Sequence, residues 1–174
     1  MRPEINAWQT FAQERGYRFT APAGDPSDHL AIDARIGGTA IEIRTSAQRK
    51  GGSETRARAD ARHAMLGRVA IRSARPLDGM IGVFLGRSRT GHADLDAKLS
   101  TFTSSAALLA TILDPLTVEV RRLLGGKPRF ALVYENGAIT LRWACVEIVP
   151  APLDAALRLA AHLAVAGSEI SPYR

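Results

Sequence analysis

The sequence has a single cysteine, Cys145, among 174 residues. That excludes an intramolecular disulfide and suits a reducing compartment. Aromatic residues make up only 6% of the chain, so there is little from which to build the base-stacking platforms of single-strand nucleic-acid binders. Between Arg35 and Gly91 the one aromatic is Phe84, in the apolar setting of a core residue. No apolar run approaches the roughly 20 residues of a membrane span. The opening Met1-Arg2-Pro3-Glu4 lacks the apolar stretch of a signal peptide. Lysine is also scarce, 3 residues against 20 arginines. These absences lead to the expectation of a cytoplasmic protein without a membrane partner.

What is present is ordinary globular composition, 46% hydrophobic and 23% charged. The length suits one domain with its own core, and no linker or fixed-period repeat divides residues 1–174. The net charge is +6, and the arginine excess, with 29 alanines, matches a GC-rich coding bias. Its distribution says more: from Arg35 to Gly91 there are 12 Arg or Lys against 4 Asp or Glu. A third of the chain therefore carries the whole excess, and such a surface attracts polyanions whatever their sequence.

The order of elements follows from periodicity. Ile5, Trp8, Phe11 and Ala12 make a helical stripe ending near Gly16. Thr20 to Asp28, with Pro22, Gly24 and Pro26, is a loop. Leu30 to Ile36 and Ile41 to Arg44 alternate around Gly37-Gly38, a hairpin. Thr55 to Arg62 alternates small and polar residues and suits either strand or helix. Leu66, Val69 and Ile71, then Met80 to Leu85, then Leu99 to Thr103 suggest further strands. Ser105 begins a helix carrying Leu108, Leu109, Ile112 and Leu113, and Asp114-Pro115 starts another with Leu116, Val120, Leu123 and Leu124. Phe130 to Tyr134 and Ile139 to Val149 pair around Asn136-Gly137, and Leu153, Leu157, Ala160 and Ala164 mark a last helix. The expected fold is α+β: an antiparallel sheet of about six or seven strands with helices packed on one face. The expected order is one helix, about five strands, two helices, two strands and a helix.

The block Thr90-Gly91-His92-Ala93-Asp94-Leu95-Asp96-Ala97-Lys98-Leu99, with the Ala/Leu helix and the Glu135-Asn136-Gly137 hairpin after it, resembles an uncharacterised bacterial α+β domain family. That family has the pattern Thr-Gly-Asp-x-x-Phe-Asp-x-x-Phe. Here His92 replaces its Asp, and Leu95 and Leu99 replace its two Phe, which keeps a core role for both. The resemblance implies a fold and carries no known activity. The order of elements is also similar to that of type III secretion chaperones, whose usual acidity this chain does not share.

Chemistry-bearing patterns are weak. Asp33, facing Glu42-Ile43-Arg44 on a hairpin, has the outline of a metal-dependent nuclease site. Arginine, however, stands where a lysine is needed and does not lose a proton at useful pH. His29, His63, His92 and His162 do not fall at metal-ligand spacing, and Cys145 lies in a strand as a buried inert thiol. The glycine pairs lack a phosphate-loop ending, and no strand-turn-helix elbow presents a serine. No catalytic residue, metal site or cofactor is expected. The expectation is a non-catalytic interaction or adaptor domain acting through a basic surface of Arg35, Arg44, Arg49, Lys50, Arg56, Arg58, Arg62 and Arg72. Its partner would be an acidic protein. The alternative is weak, sequence-independent binding of nucleic acid or another polyanion, and a divergent nuclease comes third.

Overall fold

The computed structural model describes residues 3–22, 29–47, 52–62, 66–74, 88–104, 109–110, 113, 117–124 and 129–166. Helix α1 (Pro3–Arg15) is followed by β1 (Arg18–Thr20), β2 (Ala31–Ile36), β3 (Thr39–Ala47), β4 (Ser53–Asp60) and β5 (Arg68–Ser73). A short helix α2 (Ala93–Lys98) leads directly into β6 (Leu99–Thr103). Then come α3 (Thr117–Leu124), β7 (Ala131–Glu135), β8 (Ala138–Trp143) and α4 (Pro150–Ala166).

The eight strands among the described residues form one antiparallel sheet in the order β1-β2-β3-β4-β8-β7-β5-β6. The late hairpin β7–β8 thus enters between β4 and β5, which are consecutive in sequence but not neighbours. Composition explains its central place. Leu132, Tyr134, Ile139, Leu141 and Trp143 are all buried on one face, and a central position pairs both strands along both edges. The same face carries Ile32, Ala34, Ile41, Ile43, Ala57, Ala59, Val69, Ile71 and Leu99. α4 lies over β2, β3, β4 and β8 and also meets α3. Accordingly it is buried on more than one side, at Leu153, Ala156, Leu157, Leu159, Ala160, Leu163 and Ala164.

Both expected two-residue turns form. Gly37 and Gly38 have φ of 54° and 78°, and Asn136 and Gly137 have 47° and 93°, the left-handed pair that matches strand twist. Asn136 is also tied to the start of β5: its side chain accepts the Gly67 N–H at 3.1 Å, and its own N–H donates to the Gly67 carbonyl at 3.0 Å.

Several expectations are corrected. β1 extends the sheet by three residues where no strand is expected, bringing the strands among the described residues to eight. Thr55 to Asp60 resolves as strand, with Ala57 and Ala59 buried, because small side chains suit a strand under a closely packed helix; Ala61 and Arg62 lie beyond its end. Leu66 is 88% exposed and outside β5. The Thr90-to-Leu99 block contains a helix, α2, that periodicity does not indicate, while the strand expected from Leu99 to Thr103 forms as β6. β8 ends at Trp143 instead of continuing to Val149, and Pro150 and Pro152 fall in the first turn of α4, where a missing N–H costs no hydrogen bond. The strand expected at Met80 to Leu85, most of the helix from Ser105, the Asp114-Pro115 start and Gly125-Gly126 lie outside the described residues.

Candidate functional site

With helices on one face, strand alternation directs every other residue to the opposite, outer face. The register lines these residues up in rows. In one row Arg44 of β3 faces Arg56 of β4, Arg56 faces Arg142 of β8, Arg142 faces Ala131 of β7, and Ala131 faces Arg72 of β5. The row ends at Ser100 of β6. Directly opposed residues in antiparallel strands stand about 5 Å apart at Cα, so three arginines are consecutive neighbours and a fourth follows after one alanine. The next row runs Asp33, Glu42, Arg58, Thr140, Val133, Ala70, Phe102.

Of the residues expected from sequence, Arg35, Arg44, Arg56, Arg58 and Arg72 stand on this outer face. Arg62 does not. It follows β4, its N–H donates to the Ala164 carbonyl at 3.0 Å, and its guanidinium donates to the Gly37 carbonyl, so it clamps a turn. Arg49 and Lys50 lie outside the described residues.

Acids temper the row at its β3 and β4 positions. Arg44 pairs with Glu42, and Arg56 with Glu54 at 2.8 Å. Arg72 lies over the Phe102 ring at 5.5 Å from its centre. Arg142 makes no side-chain hydrogen bond or ion pair among the described residues. Sequence reading missed Arg142 because it lies far from the arginine-rich third and reaches the row only when β8 inserts beside β4. Its one local signal is the alternation Ile139-Thr140-Leu141-Arg142-Trp143.

Two hollows open on this face. One, of about 400 Å³, lies against Arg72, Arg129, Arg142 and Glu54. The other, of about 580 Å³, has Ala70, Phe102, Ala131 and Val133 with Arg68 and Arg72. They share Arg72, Ala131 and Arg142.

The remaining candidates have structural surroundings. Asp33 and Glu42 are paired in register, but Glu42 is held by Arg44 and faces Arg58. Among the described residues no group of three or more His, Cys, Asp or Glu is placed to hold a metal ion. Cys145 is half-buried rather than buried, and its carbonyl accepts the Thr55 hydroxyl at 2.7 Å. The Thr90 turn closes on itself: the Thr90 N–H donates to Asp96 at 2.8 Å, and the His92 N–H to the Thr90 hydroxyl at 3.1 Å. Leu95 and Leu99 are buried below it. Arg121 of α3 grips Asp94 with two hydrogen bonds, 2.8 and 3.1 Å, and this holds the Asp94 carboxyl down at about 2.

No protein-family model matches the chain, and no curated protein matches it by sequence. Among solved structures it is similar to the crystal structure of the mycobacterial trehalose monomycolate transport factor A, TtfA. The TM-score is 0.56 at 12% identity, with 94% of each chain covered. That likeness shows a shared fold. No described helix is long and apolar enough to cross a membrane.

Proposed function

We propose that this is a non-catalytic adaptor domain that docks an acidic protein on the outer face of its sheet. The observation that carries the reading is the row Arg44, Arg56, Arg142, Arg72. Like charges placed opposite one another across strands oppose folding; Glu42 and Glu54 offset Arg44 and Arg56 within the fold, and an anionic partner would add to that offset at Arg142. The open face also offers rigid strand backbone, which holds the guanidinium groups at fixed spacing for carboxylates. A fold shared with a protein described as a transport factor is in keeping with a role in binding rather than catalysis.

The test is affinity capture from the host lysate between about 0.05 and 0.5 M salt, a range over which screening shortens severalfold. The expected result is a stoichiometric acidic protein that is lost at high salt and lost when Arg56 and Arg142 are changed to Glu. Capture indifferent to both changes would sink the reading. A salt-sensitive mobility shift with nucleic acid, in the absence of any captured protein, would favour the polyanion reading instead.

A further inference from the structure

The two hollows on the outer face form one polar-to-apolar sequence along the strands. Arg129 lies in the turn before β7, two residues ahead of Ala131, and Val133 follows Ala131 on the strand. Ala131 lies in the arginine row between Arg142 and Arg72, and Val133 lies in the next row beside Ala70 and Phe102. Alternate residues of a strand are about 7 Å apart, so the arginine end and the apolar end adjoin. Val133, Ala70 and Phe102 are each half-buried on a face whose described residues are otherwise mostly polar. Arg68, at the far end of this strip, is within 3.9 Å of Glu135. Arg72, Arg129 and Arg142 line the other end, with Arg72 reaching over the Phe102 ring where the two ends join. Glu54 also lines that end, but its carboxylate already accepts from Arg56 at 2.8 Å and Ser46 at 3.1 Å.

The geometry points to a binding site for a single-chain amphiphilic phosphate monoester, its head among Arg72, Arg129 and Arg142 and its chain over Ala70, Phe102 and Val133. Each hollow, about 400 and about 580 Å³, is in the size range of ligand sites, about 300–1,000 Å³, and together they have the mix of apolar floor and a few charged groups that such sites show. A phosphate offers several acceptor oxygens and is gripped by more than one guanidinium at once. Either half alone would be weak, because exposed arginines bind phosphate loosely in water and a shallow apolar strip has no directional contact. This site goes beyond protein docking and stands without it, since it needs no partner chain.

Isothermal titration of the purified protein with octyl phosphate, below its micelle concentration, tests the site against inorganic phosphate and 1-octanol. One-to-one binding at least about tenfold tighter than either comparator is expected. Arg142→Gln and Phe102→Ser should each weaken it by about tenfold, the loss of one charge-assisted hydrogen bond or of one apolar contact. Both side chains stand on the outer face, so circular dichroism should show an unchanged fold. Arg158→Gln removes the same charge from α4, on the covered side of the sheet, and should leave binding unchanged. The proposal falls if octyl phosphate shows no saturable binding, if octanol binds as tightly, or if Arg158→Gln has the same effect as Arg142→Gln. It also falls if the protein ignores monomeric octyl phosphate yet sediments with phosphatidylcholine vesicles carrying phosphatidic acid, which would make the face a bilayer-adsorbing surface. Because no partner protein is present, failure here leaves the docking assay standing, and failure of docking leaves this titration standing.

Discussion

Glu147 is 1% exposed, and the groups around it account for a carboxylate at such a depth. Its Oε2 accepts the Trp143 indole N–H at 3.2 Å, and its Oε1 accepts the Val149 N–H at 3.0 Å. Its own N–H donates to the Thr55 hydroxyl at 2.9 Å, and its carbonyl receives the Trp8 indole. Both tryptophans of the chain thus converge on one residue, which ties α1, β4, β8 and the start of α4 together. A buried acceptor facing two donors cannot be exchanged freely for an amide, whose NH2 must then face an N–H. Glu147→Gln should cost about 1–3 kcal/mol in denaturant unfolding, the penalty of an unmatched buried polar group. A neutral result would mean the indole and amide donors find other partners. Asp94 gives a second test at this scale. The Arg121 hydrogen bonds, and after them its charge, lower the carboxyl from an ordinary 3.8 to about 2. The folded value lies below the unfolded one, so the pair favours the fold above about pH 3.8 and loses that effect as pH falls toward 2. The carboxyl carbon of Asp94, followed by NMR, should titrate near the lower value and move back toward the ordinary one in Arg121→Gln. An ordinary midpoint in the unchanged protein would show that the pair does not persist in solution.

Elements were legible in the sequence where their signals are local. Gly37-Gly38 and Asn136-Gly137 give their turns away because only residues tolerant of positive φ fit there, and the α4 stripe stands out because its period is sustained over 17 residues. Elements of few residues were not legible. β1 has three residues and pairs with no strand but β2 among the described residues, and α2 has six, too short for either period to show. Strand order was out of reach for a different reason. The pairing of Thr55 with Trp143 depends on which edge offers the better apolar match, a comparison between distant segments that no local pattern contains. The candidate site inherits this limit: Arg44, Arg56, Arg58 and Arg72 could be expected on a polar face, whereas Arg142 could not be joined to them. For α4 the packing makes a firm expectation. Leu157 is 1% exposed while its neighbour Arg158 is exposed. Leu157→Ala should lower stability by about 2–4 kcal/mol and Arg158→Ala by less than about 0.5. Equal and small losses would show that α4 does not press that face into the core.

At the scale of the whole molecule, one sheet divides two environments, and charge is sorted between them. Helices and apolar side chains fill one side, while the other carries the arginine row in a chain of net charge +6. In the docking proposed above, such a face would act first on encounter, because its field reaches roughly 8 Å at physiological salt and would steer an acidic partner before contact. The row's effect on folding has the opposite sign from its effect on binding. Arg142 stands between Arg56 and, beyond Ala131, Arg72, with no ion pair among the described residues to offset it. Removing its charge should therefore relieve repulsion. Arg142→Gln is expected to leave stability unchanged or raise it by up to about 1 kcal/mol, as measured by denaturant unfolding. The same variant should slow association with the captured acidic partner, and the slowing should shrink as salt rises and screening replaces steering. A destabilised Arg142→Gln would instead make the row part of what holds the sheet together, and the case for a docking face would lose the imbalance on which it rests.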